Sequence, residues 1–173
     1  MKKYLSMITA VMLLGAGCSS SATPATPATP SATSPQAAVN AESGCDDLMT
    51  LAEAREVSGL AYTERSVSAQ MVGPVVVTSC TYFSTDRTLI TKGFSLLTRS
   101  TPSVGEAERN FEQSKAGAYA DGQELSGIGD RALWSPTLSQ VSVLRGQTWL
   151  IVTAMNNQEL ATKVSKTVVP KLR

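Results

Sequence analysis

The chain has 173 residues, with 15 Lys or Arg against 14 Asp or Glu, and no histidine. A formal net charge of +1 offers no general argument for nucleic acid as a partner. The absence of histidine excludes Ser-His-Asp and Cys-His nucleophiles, and with them the usual zinc and non-haem iron ligand sets.

The chain opens with Lys2 and Lys3, an apolar run from Tyr4 to Leu14, and then Gly15, Ala16, Gly17 and Cys18. A spanning helix needs about 20 apolar residues. This run is shorter and already contains Ser6 and Thr9, as the core of a secretory signal does. Leu14-Gly15-Ala16-Gly17-Cys18 resembles the lipobox of bacterial lipoproteins, although its leucine stands one place further from the cysteine than is usual. The resemblance implies removal of residues 1–17 as a signal peptide. It also implies a thioether-linked diacylglycerol and palmitate on Cys18, and a cell-membrane anchor with the domain on the extracytoplasmic side. Each buried methylene of such an anchor adds about 0.8 kcal/mol. The competing reading is an ordinary signal peptide with an incidental cysteine. Loss of residues 1–17 takes away two of the fifteen cationic side chains and none of the fourteen acidic ones, leaving 13 against 14 and a net charge of −1.

Residues 18–43 read as a tether. After Cys18 they are almost all Ser, Ala, Thr and Pro, with Ala-Thr-Pro at 22–24, 25–27 and 28–30. Such a segment has too little apolar surface to recover the entropy lost on ordering. Proline at every third position favours an extended chain of about 3.1 Å per residue. Its Thr and Ser also suit O-glycosylation; a plain linker is the simpler reading.

Residues 44–173 have the size of a single domain with one core. With Cys18 assigned to lipid, Cys45 and Cys80 remain in a compartment that permits disulfides. Their bond would close a loop of about 35 residues, for which the chain-entropy estimate is about 3–4 kcal/mol. Two buried free thiols are the alternative. Three segments carry helix-start signals: Thr50-x-x-Glu53, Ser103-x-x-Glu106 and Asn156-x-x-Glu159. They predict helices over 50–58, ended by Gly59, over 103–118, and over 157–168, ended by Pro170. Strands are expected at 75–83, 89–98, 140–144 and 148–154, with a further start at Ala132-Leu133-Trp134. Residues 65–72 alternate weakly and read as an edge strand. Arg145-Gly146-Gln147 reads as a hairpin turn in which glycine supplies a positive φ. Blocks of adjacent strands predict an α+β fold: one antiparallel sheet with packed helices.

The order Cys45, short helix, Cys80-x-Tyr82, long helix, then Leu125-Ser-Gly-Ile-Gly-Asp-Arg-Ala-Leu-Trp134 and a strand pair around Arg145-Gly146 resembles the small actinobacterial DUF3558-like lipoproteins. More loosely it resembles the Mog1/PsbP-like α/β sandwich. The resemblance covers residues 44–173. It implies a fold and an envelope address, and it supplies no catalytic residues.

The residues themselves give little chemistry. Gly127, Gly129 and Asp130 read as a turn that Asp130 closes through local amides, in preference to a phosphate cradle. Carboxylates are the remaining acid–base candidates: Asp46 and Asp47 before the first helix, and Glu106, Glu108 and Glu112 on the second, where Glu108 and Glu112 share a face. Trp134 and Trp149 fall on strands, as core residues more readily than carbohydrate platforms. Lys163, Lys166, Lys171 and Arg173 complement the last helix carbonyls, with anionic lipid as the minority reading. The expectation is therefore a non-enzymatic envelope lipoprotein with no catalytic residues, no metal and no cofactor. It would bind a lipid, a glycan or another envelope protein, and not nucleic acid. The alternative is a carboxylate-dependent hydrolase acting on a cell-wall polymer, which needs two acidic groups converging in one cleft with raised pKa values.

Overall fold

In a computed structural model, residues 41–84 and 92–172 are described. The predicted signal, Cys18 and the tether up to residue 40 lie outside them. So do residues 89–91 of the third predicted strand, and Arg173. All described residues fall within one compact unit, Ser34–Arg173.

Seven strands form one sheet: β1 (Glu64–Val72), β2 (Val75–Phe83), β3 (Phe94–Ser100), β4 (Gln123–Leu125), β5 (Arg131–Ser135), β6 (Gln140–Arg145) and β7 (Thr148–Ala154). Their spatial order is β1-β2-β3-β7-β6-β5-β4, and every pair is antiparallel. The helices are α1 (Ala41–Leu48), α2 (Leu51–Ser58), α3 (Val104–Ala116) and α4 (Gln158–Val168), the last followed by a 3-10 turn over Val169–Lys171. The fold is thus α+β, and the weakly alternating segment is indeed the edge strand β1.

Period-two alternation divides the sheet into two faces. Cys80, Tyr82, Phe94, Leu96, Val141, Val143, Leu150 and Val152 face one side, where Met49, Ala54, Leu160, Val164 and Val168 from the helical segments cover them. On the opposite face, α3 packs Ala107 and Phe111 against Leu133, Leu144 and Trp149. Trp134 and Trp149 are both buried, and the Trp149 indole donates to the Ser142 hydroxyl at 2.7 Å. Their core reading holds.

Local signals set most boundaries. Thr50 caps α2, and the box is reciprocal: the Glu53 carboxylate accepts from the Thr50 amide at 2.7 Å. Gly59 ends α2 at φ 68. At α3 only half the box forms, the Glu106 amide donating to Ser103 Oγ at 3.3 Å. At α4 the cap is Asn157, one residue later than predicted, with its side chain accepting from the Leu160 amide at 2.9 Å. Asn156 instead takes φ 51 in the turn out of β7, a conformation asparagine tolerates.

Two elements were not anticipated. α1 starts at Ala41, inside the segment that reads as tether, and contains Asp46 and Asp47, whereas the sequence puts them ahead of the first helix. It is too short to be stable alone. Cys45, Leu48 and Met49 are buried on one side, so tertiary contact holds it. β4 is three residues long, with two exposed polar side chains, and offers no strand pattern.

Candidate functional site

The end of the sheet where β3 begins and β7 ends lies between α2 and α4. Phe94 pairs with Ala154 there. Beyond that pair, the exit of α2, the entry to β3 and the first turn of α4 surround a crevice of about 400 Å³. Val57, Leu60, Ala154, Met155 and Leu160 give it apolar walls; Lys92, Asn157, Glu159 and Lys163 give it a polar rim. Met155 is 65% exposed. The base is firmly built. Buried Tyr62 donates its hydroxyl to the Lys92 carbonyl at 2.7 Å, and Arg55 Nε donates to the Tyr62 carbonyl at 2.6 Å. A Cβ at Gly93 would stand 2.8 Å from the Tyr82 carbonyl oxygen, so the chain passes this point only as glycine.

Two cations and one carboxylate share the rim. Lys163 pairs with Glu159 at 2.7 Å, and this partner holds the Glu159 carboxyl below the usual range. Lys92 has no ion-pair partner among the described residues. The N-terminal turn of α4 adds positive dipole potential. Apolar walls beside cationic groups suit an anionic amphiphile, and the volume lies within the span of small-molecule sites.

The two cysteines of the domain meet. Cys45 on α1 and Cys80 on β2 form a disulfide with Cα atoms 5.9 Å apart, and both are fully buried. Beside it, Tyr82 donates its hydroxyl to the Met49 carbonyl, and burial pushes its phenol up to about 12.

The carboxylates are dispersed over several ion pairs. Asp46 accepts from Arg65 at 2.5 Å, Glu112 pairs with Arg131, and Glu124 accepts from Lys115 at 2.8 Å. Hydrogen bonds from Arg65 and Lys115 hold Asp46 and Glu124 below the ordinary carboxylate range. Asp121, which sequence reasoning missed, accepts from the Ser135 hydroxyl at 2.7 Å and the Thr137 amide at 3.0 Å, and is lowered by both. Among the described residues, no three His, Cys, Asp or Glu side chains are grouped to hold a metal ion.

The Gly127–Arg131 motif is a tertiary clasp. Gly127 and Gly129 take φ of 72 and 61, as expected of a turn. Asp130, however, closes a contact far along the chain. Its carboxylate accepts from the Gly146 amide at 2.7 Å and from Arg145 at 2.8 Å in the β6–β7 hairpin, and these hold its pKa down, the Gly146 amide most. Arg131 lies over the Phe111 ring with its guanidinium carbon 5.0 Å from the centroid. The Asp130 amide is itself committed to the Leu144 carbonyl at 2.8 Å, so the turn reading stands in this corrected form.

The C-terminal lysines are also partly engaged. Lys171 donates to Glu53 at 2.6 Å, tying the 3-10 turn to α2, while Lys166 lies on the exposed side of α4. No helix among the described residues is long and apolar enough to cross a membrane. No family model and no curated protein matches the chain.

Proposed function

We propose that this chain is a bacterial lipoprotein, anchored to the extracytoplasmic face of the cell membrane through Cys18. Its α+β domain binds a ligand and does not cleave one. The N-terminal signal pattern, the lipobox-like cysteine and the Ser/Ala/Thr/Pro tether support the anchor. The disulfide agrees with an oxidising compartment. The motif order supports placing the domain with the DUF3558-like lipoproteins and their Mog1/PsbP-like sandwich.

The observation that carries the binding reading is the crevice between α2 and α4, where apolar walls adjoin Lys92 and Lys163. An acidic amphiphile, such as a lipid or its hydrolysis product, fits that chemistry. The carboxylates argue against the hydrolase alternative. Among the described residues, every carboxylate with a shifted pKa is shifted down, namely Asp46, Glu53, Asp121, Glu124, Asp130 and Glu159. A proton-donating carboxyl needs the opposite shift.

Dodecyl phosphate is a direct probe of this site. Titrated into the isotope-labelled protein below its micelle concentration, it should shift the resonances of Leu60, Met155 and Leu160. Lys92→Glu should weaken that binding about tenfold or more, the scale of one charge-assisted contact. Saturable binding elsewhere on the domain, or none at all, would contradict the assignment.

A further inference from the structure

The core face of the sheet changes character along its length. From the end near the crevice, β3 turns Phe94, Leu96, Thr98 and Ser100 to this face, and β7 sets Ala154, Val152, Leu150 and Thr148 opposite them. Apolar side chains thus give way to hydroxyls, and Thr78 of β2 stands across from Thr98. At this far end a second crevice, of about 390 Å³, opens between the sheet, the last turn of α1 and the 3-10 turn. Thr98, Ser100 and Thr148 line its sheet side. Thr98 is only 6% exposed. Its hydroxyl has no hydrogen-bond partner among the described residues, whereas Ser100 and Thr148 bond to one another at 3.2 Å. Every fully enclosed polar side-chain atom of the described residues does have a partner, so the Thr98 hydroxyl opens on the crevice. A buried strand position with no use for a hydroxyl is filled as well by valine, which has the same branched shape and no polar atom to desolvate.

The charges around this hydroxyl patch offset one another. Asp47, on α1, is exposed and has no ion-pair partner among the described residues, while Lys171 is held by Glu53 at 2.6 Å. Leu48 and Leu172 add short apolar walls. We propose that this crevice is a second ligand site, separate from the one between α2 and α4, and that it takes a neutral polyhydroxylated ligand, the end of a glycan chain. Hydroxyl side chains both donate and accept, as sugar hydroxyls do, and a carboxylate accepts from two of them at once. With one available carboxylate and one neutralised ammonium, the crevice offers a phosphate no net attraction. The leucines suit the C–H edges of a sugar ring, and the volume lies within the span of small-molecule sites.

Maltose, cellobiose and N,N′-diacetylchitobiose are suitable probes. Titrated one at a time into the isotope-labelled protein, at least one should shift the amides of Asp47, Thr98, Ser100 and Leu172 saturably, with a Kd in the millimolar range expected of a few neutral hydrogen bonds. The resonances of Leu60 and Met155 in the other crevice should stay still. Thr98→Val should weaken this binding about three- to tenfold, the scale of one neutral hydrogen bond. It should leave Tm unchanged or raised, because the hydroxyl it removes makes no bond to the described residues. Asp47→Ala should weaken the binding about tenfold or more, as loss of a charged acceptor does. No saturable shift at these amides with any of the three sugars, shifts produced there by inorganic phosphate instead, or a Thr98→Val chain that binds as the unaltered one does would overturn the inference.

Discussion

Replacing Cys45 and Cys80 together by alanine should lower the unfolding free energy by about 3–4 kcal/mol, as the chain-entropy argument gives for a loop of this size. For a domain of about 130 residues that is a fall of about 10 °C in Tm. The bond joins residues separated by 35 positions and attaches α1 to the second strand. α1 has eight residues, with Gly44 in its interior. A helix of that length does not persist on its own propensity. Its remaining attachments are the buried Leu48 and Met49, the acceptor contact from Met49 to the Tyr82 hydroxyl, and the Asp46–Arg65 pair. That ion pair contributes little by itself, since Asp46 is well exposed. The alanine variant should therefore lose amide-exchange protection in α1 before the rest of the domain. A loss below about 1 kcal/mol, with α1 still protected, would show that packing alone holds this helix.

Gly129→Ala should be at least as damaging, and for a different reason. Gly129 takes φ 61, and a Cβ there would come within 2.5 Å of Val143 Cγ1 and 2.6 Å of the Leu144 carbonyl oxygen. The adjacent Asp130 amide donates to that same carbonyl at 2.8 Å, so the backbone cannot retreat without breaking its own bond. The expected cost is about 3 kcal/mol or more, the upper range for overpacking against a rigid backbone. Gly146 is the control. It has φ 54 but no atom within 4 Å of the added Cβ, so Gly146→Ala should show only the left-handed penalty of about 1–2 kcal/mol. Urea unfolding of the two variants separates steric exclusion from backbone preference. Equal losses would mean that the loop around Gly129 yields.

What was legible in the sequence was local. A capping side chain, a glycine stop and a two-residue hairpin act over a few positions, and the ends of α2 and the β6–β7 hairpin follow from them. Strands rich in branched residues, such as Val75–Phe83 and Thr148–Ala154, were equally plain. Contacts across long separations were not legible. Asp130 reads as a turn residue because nothing near it reveals that Gly146 is its partner. Residues 41–43 of α1 read as tether and the rest of it as the approach to the first helix, because its helix depends on a bond to Cys80 and on burial against β1 and β2. The crevice assembles Leu60, Lys92, Met155 and Lys163 from four separate segments, each of which has an ordinary local explanation. Gly93 offers a hint, a glycine inside the strand expected over 89–98, but the close approach of Tyr82 that requires it is a property of the sheet.

The mass of the mature N-terminus tests the proposed membrane anchor at Cys18 most directly. The protein isolated from its native envelope should begin at residue 18. Its first peptide should carry the added mass of a diacylglycerol, and the whole chain should stay with the membrane fraction. Cys18→Ser should abolish that mass and leave either soluble protein or an uncleaved precursor. A mature chain that begins at another residue, or an unmodified Cys18 in a protein that leaves the membrane freely, would contradict the account.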